Sequence, residues 1–425
     1  MSTAIVLFVV LIICLALSLP VGFALLFSSI VTIFIMDIHL PFDTITKTMI
    51  TANDSFPLMA IPFFILAGAL MGKGGVSKRL FDIANNFFGH IRGGVAISTV
   101  ITSMFFAAIS GSGPATVAAI GTVMIPEMVK QGYSKPFSTA LIAASGTIGI
   151  VIPPSIPLII FGVTANVSVG KLFLAGVLPG IMMGLSLILW AYVHARRKNY
   201  PTSEKSSWKR RLKSLNNGKA ALLMPVIILG GIYGGVFTPT EAAAVAVVYG
   251  FVISVFIYKE IKVYDFFEIF YDSAVTTGSV MIIVATAGVL GRILTLERIP
   301  VEIANSILSI SSSVHLFILL VIIILLVMGM FMETIASLLI LTPIIFPLAM
   351  ELNVDPIHLG IIMIVGLSLG FVTPPLGLNL FVASSISKVR VETLSRYVMP
   401  GFLNMVITLI LISYISWFSL VFIFD

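Results

Sequence analysis

Long apolar runs, separated by short polar interruptions, fill most of this chain. The first 36 residues carry no charge. As one helix, at roughly 1.5 Å per residue, they would measure about 50 Å against a hydrocarbon core of about 30 Å. Leu19-Pro20-Val21-Gly22 interrupts the run, so the pattern predicts two spans, 3–18 and 21–36. The run lacks a positive n-region and is too long for an h-region, so it does not read as a cleavable signal. Further apolar stretches cover 56–72, 93–110, 114–129, 136–166, 172–194, 221–237, 240–258, 274–291, 314–331, 335–350, 356–386 and 397–424. Stretches 136–166 and 356–386 are too long for one regular helix, and each carries Pro-Pro near its middle. The pairs within 93–129 and 314–350 are parted only by a polar, glycine-containing or acidic break.

Composition turns this pattern into a solvent. Of 425 residues 59% are hydrophobic and only 42 (24 basic, 18 acidic) are charged, about 10%, where a soluble domain carries about 25%. So few charges cannot cover a soluble surface, which excludes a cytosolic enzyme and leaves a lipid bilayer as the medium. The formal charge of +6 follows from the gathering of Lys and Arg on cytoplasmic loops and implies no nucleic-acid partner. One cysteine, Cys14, provides neither an internal disulfide nor a thiolate-rich metal site.

Charge also orients the chain. Between Arg196 and Lys219 stand nine basic residues and one acid, Glu204, so the 196–219 linker is expected in the cytoplasm. It divides the chain into two halves, 1–195 and 220–425. Shifting the sequence by 221 aligns Gly149–Gly180 with Gly370–Gly401 without a gap, with seven of 32 positions identical. Pro153-Pro154 then meets Pro374-Pro375, and Pro179-Gly180 meets Pro400-Gly401. Read as re-entrant hairpins, 93–130 and 314–350 leave five crossings per half, about ten in all, and the second half is inverted. Both termini are then periplasmic, and 20 of 24 basic residues fall on the cytoplasmic side.

Two features carry candidate chemistry. Ser110-Gly111-Ser112-Gly113-Pro114 cannot continue a helix through lipid, and irregular backbone at membrane depth survives only inside protein or along a wet cavity. The alternative is a plain interfacial turn. Each Pro-Pro pair lacks N–H donors and clashes with the carbonyl four residues earlier, freeing the carbonyls of Gly149 and Ile150, and of Gly370 and Phe371. Broken helices at matching places in two inverted halves point to a transporter's midplane site, although paired structural kinks would give the same sequence. Half-helix C-termini and unwound carbonyls suit Na⁺, and half-helix N-termini suit an anionic group.

Glu333, within Met332-Glu333-Thr334, is the one acid placed well away from a membrane edge, a cation ligand or proton relay by default. The expected first cation site comprises Ser110, Ser112 and carbonyls of Gly149, Ile150 and Ile152. The second comprises Glu333, Thr334, Ser337, Gly370, Phe371 and Thr373. Ser155, Asn379 and Thr116 are the expected substrate-side donors. With every basic residue assigned to a loop or span end, the bound anion would be offset by Na⁺ and helix ends. All five histidines sit near span ends, which disfavours an intramembrane serine hydrolase and a His-carboxylate metal site. No GKS or GKT motif signals an ATPase. A channel or passive pore remains the other reading.

Several segments resemble one family. Ser55-Phe56-Pro57-Leu58-Met59-Ala60-Ile61-Pro62-Phe63-Phe64, Ser110-Gly111-Ser112-Gly113-Pro114-Ala115-Thr116, Ile152-Pro153-Pro154-Ser155, Phe237-Thr238-Pro239-Thr240-Glu241 and Thr373-Pro374-Pro375-Leu376-Gly377-Leu378-Asn379 look like the large membrane (M) subunit of TRAP transporters, nearly end to end. The resemblance implies an all-α, inverted-repeat, elevator-type integral membrane transporter with two re-entrant hairpins and two Pro-broken helices. It implies a separate small membrane (Q) subunit, a periplasmic substrate-binding (P) protein and Na⁺ as the coupling ion, without an organic cofactor. The cargo would be an organic acid of the C4-dicarboxylate or sialic acid class, imported across the bacterial inner membrane.

Overall fold

A computed structural model describes residues 3–202, 204–303, 313–374 and 377–423. Pro375 and Asp425, both used in the sequence reading, lie outside the described residues. Among the described residues the chain is all helix, turn and coil, and eight helices are long and apolar enough to cross a membrane.

The first half runs α1 (Thr3–Ala16), α2 (Val21–Ile35), α3 (Phe42–Asn53), α4 (Ala60–Lys73), α5 (Val76–Phe88), α6 (Gly94–Ser110), α7 (Gly113–Lys130), α8 (Lys135–Gly146), α9 (Ile156–Thr164) and α10 (Val169–Lys198). The second half runs α11 (Trp208–Tyr233), α12 (Pro239–Val252), α13 (Asp265–Leu296), α14 (Val314–Phe331), α15 (Thr334–Glu351), α16 (Pro356–Gly370), α17 (Leu378–Ser387) and α18 (Val391–Tyr414), closed by the short α19 (Trp417–Leu420). The 221-residue spacing recurs in these bounds: Gly113–Lys130 and Thr334–Glu351 differ by that number at both ends. Their N-caps, Ser112 and Glu333, do too.

Four elements differ from the sequence reading. The first two are helices that hydropathy passed over, α3 and α5. α5 is amphipathic, burying Val76, Leu80, Phe81, Ile83 and Ala84 and leaving Lys78 outward; its charged residues hide it from an apolar scan. Third, most of the basic linker is helical, because α10 runs to Lys198 and α11 starts at Trp208 behind the Ser207 N-cap. Buried Arg211 pins this stretch to α5: its Nε donates to the Asn86 carbonyl at 3.2 Å, and its guanidinium lies 5.4 Å from the Phe87 ring centre. Fourth, α13 extends the expected 274–291 to 32 residues. Its first-half counterparts, α3 and α4, are parted at Asp54-Ser55-Phe56-Pro57, and the position 221 beyond Pro57 is Gly278. Without proline, the break closes.

Packing sorts most of these elements into two groups, which touch through α13–α15 and α4–α6. α1, α2, α3, α4, α11, α12 and α13 contact one another as α1–α2, α2–α13, α3–α13, α4–α12 and α11–α12. Their outer surface is apolar, with Ile12, Phe23, Phe34 and Val226 all more than half exposed, as a lipid-facing surface requires. The hairpins and broken helices form the second group, and they interlock across the halves. α9 of the first broken helix packs on α15 of the second hairpin, while α17 packs on α7 and α8.

The Phe237-Thr238-Pro239-Thr240-Glu241 segment turns out to be a helix cap. Thr238 and Glu241 form a capping box at the start of α12, and the Thr240 hydroxyl donates 3.1 Å to the Phe56 carbonyl. One motif of the family thereby clamps another, the Ser55–Met59 turn.

Candidate functional site

The first hairpin tip is built by helix-end chemistry. α6 stops at Ser110 because Gly111 adopts φ +58°, and Ser112 caps α7 by accepting from the Ala115 N–H. Left-handed backbone at Gly111 suits a residue without Cβ. A Cβ there would also lie 2.9 Å from the Pro154 carbonyl oxygen. The tip therefore sits directly on the first helix break. Ser110 and Thr116 hydroxyls meet at 2.8 Å, and Thr116 donates to the Ser112 carbonyl at 2.8 Å. Gly149 faces this cluster, since a Cβ on it would come 2.6 Å from the Ser112 carbonyl oxygen and 2.7 Å from Thr116 Oγ1.

Ser110, Ser112 and Gly149 are thus together, and Thr116, read from the sequence as a substrate donor, stands with them. Ile150 contributes differently: its freed carbonyl accepts from the Ser155 hydroxyl, which also caps α9 at the Leu158 N–H. Ser155 is fully buried and spends its hydroxyl on repairing the break. Ile152 packs against α10, within 2.4 Å of where a Cβ on Gly180 would sit.

The second tip is less closed. Glu333 stands at the N-cap of α15, where a carboxylate suits the helix dipole. Thr334 and Ser337 are buried and their hydroxyl oxygens have no partner. A buried hydroxyl without a partner costs about 1–3 kcal/mol, and a bound cation would remove that cost. Gly370 touches the same hairpin through α14: a Cβ on it would fall 2.2 Å from the Gly329 carbonyl carbon. The Gly370 and Phe371 carbonyls accept from Thr373 and Asn379 backbone N–H groups, and the Thr373 hydroxyl donates to Leu369. The Phe371 ring crosses to the first hairpin, 2.9 Å from the Cβ position at Gly113. Asn379 also crosses, its Nδ2 donating 3.1 Å to the Ala143 carbonyl in α8 while its Oδ1 is buried without a partner.

Between the tips and the outer helices lies a cavity of about 630 Å³. Ser110 and Ser112 reach it from one tip, Glu333 and Ile335 from the other, and Lys73 and Asp272 from α4 and α13. Ser155, Asn379 and Thr116 do not line it. Lys73, assigned from the sequence to a loop, reaches this cavity from the end of α4. It is paired at 2.7 Å with Glu268. Asp272 was missed because the apolar stretch was started at 274. The absence of Gly or Pro between 265 and 274 was the available signal that the helix continues. The charged lining is Lys73 against Asp272 and Glu333, a formal charge of −1.

Residues 8–418 match the family described as tripartite ATP-independent periplasmic transporter, DctM component. The chain is 46% identical to the C4-dicarboxylate TRAP transporter large permease protein DctM of Pseudomonas aeruginosa, over 87% of this chain and 86% of the relative. It is 45% identical to the isethionate TRAP transporter permease protein DctMQ of Oleidesulfovibrio alaskensis, over 88% of this chain. The chain spans only 59% of that longer relative. Among solved structures, the Alcanivorax borkumensis YdaH transporter has the same fold, with a TM-score of 0.59, 14% identity and 89% of each chain covered.

Proposed function

The chain belongs to the DctM component family of tripartite ATP-independent periplasmic transporters, a permease subunit and not an enzyme, and on that premise we propose that it drives organic-acid import with a Na⁺ gradient. The observation that carries this reading is the sign of the cavity. An anion entering a site lined by Asp272 and Glu333, with Lys73 already paired, meets like charge. It binds when cations bind with it. The Ser110–Ser112–Thr116–Gly149 cluster and the orphaned Thr334 and Ser337 hydroxyls supply neutral oxygens of the kind Na⁺ takes.

Cargo of the C4-dicarboxylate or sialic acid class fits this scheme, and the relatives named for a dicarboxylate and for isethionate are consistent with a strongly acidic substrate. A periplasmic substrate-binding protein delivers it. A small membrane (Q) subunit, separate from this chain, completes the complex. The interlocked hairpins and broken helices move as one body against the outer helices, an elevator motion, because α9–α15 and α17–α7 contacts tie the halves together. We place the complex in the bacterial inner membrane with about ten full crossings, both termini periplasmic and 196–219 cytoplasmic.

Two experiments test this. In proteoliposomes holding the full complex, Ser112→Ala and Thr334→Ala each remove one of several ligands. A loss of about 1–3 kcal/mol weakens apparent Na⁺ affinity roughly 5- to 150-fold. Unchanged Na⁺ dependence in both would reduce the tips to structural turns. In a Cys14→Ser background, a cysteine placed at Lys205 is labelled only after the membrane is permeabilised. Labelling of intact cells by an impermeant reagent would reverse the orientation.

A further inference from the structure

A second cavity, of about 640 Å³, opens at the basic end of α11, away from the transport site. Its charged lining is Lys78, Arg79 and Asp82 from α5, Arg210 and Lys213 from α11, and Glu260. Arg79 and Glu260 satisfy each other at 3.1 Å, with the guanidinium stacked 3.9 Å from the Tyr258 ring centre. Lys78, Arg210 and Lys213 form no ion pair among the described residues. They face Asp82 alone, so the cavity keeps an excess of two positive charges.

Exposed aromatic residues close in sequence to its lining indicate its depth. Trp208, Tyr264 and Phe267 are 69%, 71% and 81% exposed, the placement of an interfacial belt. The apolar run of α11 begins only at Ala220. The cavity therefore lies at headgroup level, on the face that the basic residues assign to the cytoplasm. Its apolar lining is open: Ile257 lines the cavity and is 56% exposed.

We propose that this cavity binds the phosphate of an anionic phospholipid, with Lys78, Arg210 and Lys213 around the headgroup and the acyl chains along Ile257. The chemistry needed is a phosphoryl anion, which a soluble phosphate also offers; the exposed apolar wall favours the lipid. Basic pockets between membrane helices on the cytoplasmic side hold such headgroups. The occupant bridges α5, which leads through Gly93 (φ +79°) into the first hairpin, and α11 of the outer group. It would thus fix the arm that joins the two groups of helices.

The test is native mass spectrometry of the intact complex taken from phosphatidylcholine nanodiscs doped with phosphatidylglycerol. Each basic residue near the surface contributes about fivefold in affinity. The Lys78→Gln/Arg210→Gln/Lys213→Gln variant should therefore lose retained phosphatidylglycerol by about a hundredfold. Lys171→Gln, in the first turn of α10, should retain it like the parent. An unchanged thermal midpoint shows that the triple variant is folded; should it not fold, Lys213→Gln alone carries the test with about a fivefold loss. Equal retention in parent and variant overturns the site. Displacement of the lipid by millimolar inorganic phosphate overturns the lipid assignment in favour of a soluble anion.

Discussion

Gly370→Ala is expected to cut transport about tenfold or more while the protein still inserts in the membrane. The added Cβ would lie 2.2 Å from the Gly329 carbonyl carbon and 2.4 Å from its oxygen, and backbone cannot swing aside as a flexible side chain can. Either α14 leaves α16 or the second break changes shape, and both separate the hairpin from the helix end that faces it. Overpacking of this kind costs about 1–3 kcal/mol, occasionally more. Because the strain falls on the proposed second cation site, uptake should drop by about tenfold or more. Gly230→Ala is the control, since a Cβ there meets nothing within 4 Å. A Gly370→Ala protein that transports and melts like Gly230→Ala would show that the close approach has no functional weight.

The same glycines show what the sequence could and could not disclose. Proline and glycine act locally, so the breaks at Pro153-Pro154 and Gly111 were readable: α6 stops beside Gly111, and α9 starts just after Pro154. The spacing of 221 was also readable, because it depends only on the order of residues. Which groups satisfy the freed carbonyls was not readable, because that depends on distances across the fold. Ile150 is answered by Ser155 five residues on, and Phe371 by the backbone of Asn379. Ser155 and Asn379, singled out for standing after the prolines, are engaged in holding the breaks open. Asp272 and Lys73 reach the cavity from helices whose ends hydropathy misplaced. An apolar scan finds where lipid is; it is blind to polar residues that face a cavity from a helix terminus.

Glu333 carries the second large effect, in the choice between Na⁺ and protons. It stands at the start of α15 beside the orphaned Thr334 hydroxyl and lines the cavity with Asp272. As a cation ligand, its charge is needed when Na⁺ is present and is repulsive toward substrate when Na⁺ is absent. Glu333→Gln keeps the shape and removes the charge. A charged partner is worth about 1.5–3 kcal/mol, so the Na⁺ concentration for half-maximal uptake should rise roughly 10- to 150-fold. Wild-type vesicles given a proton gradient in Na⁺-free medium should accumulate no substrate, because on this reading the anion binds only when Na⁺ binds with it. Two results would reverse this reading. Robust uptake without Na⁺ that Glu333→Gln abolishes would make Glu333 a proton carrier. Tighter substrate binding in Glu333→Gln, with Na⁺ dependence relaxed, would make it only a repulsive wall, and the second cation site would then have to be built from other residues.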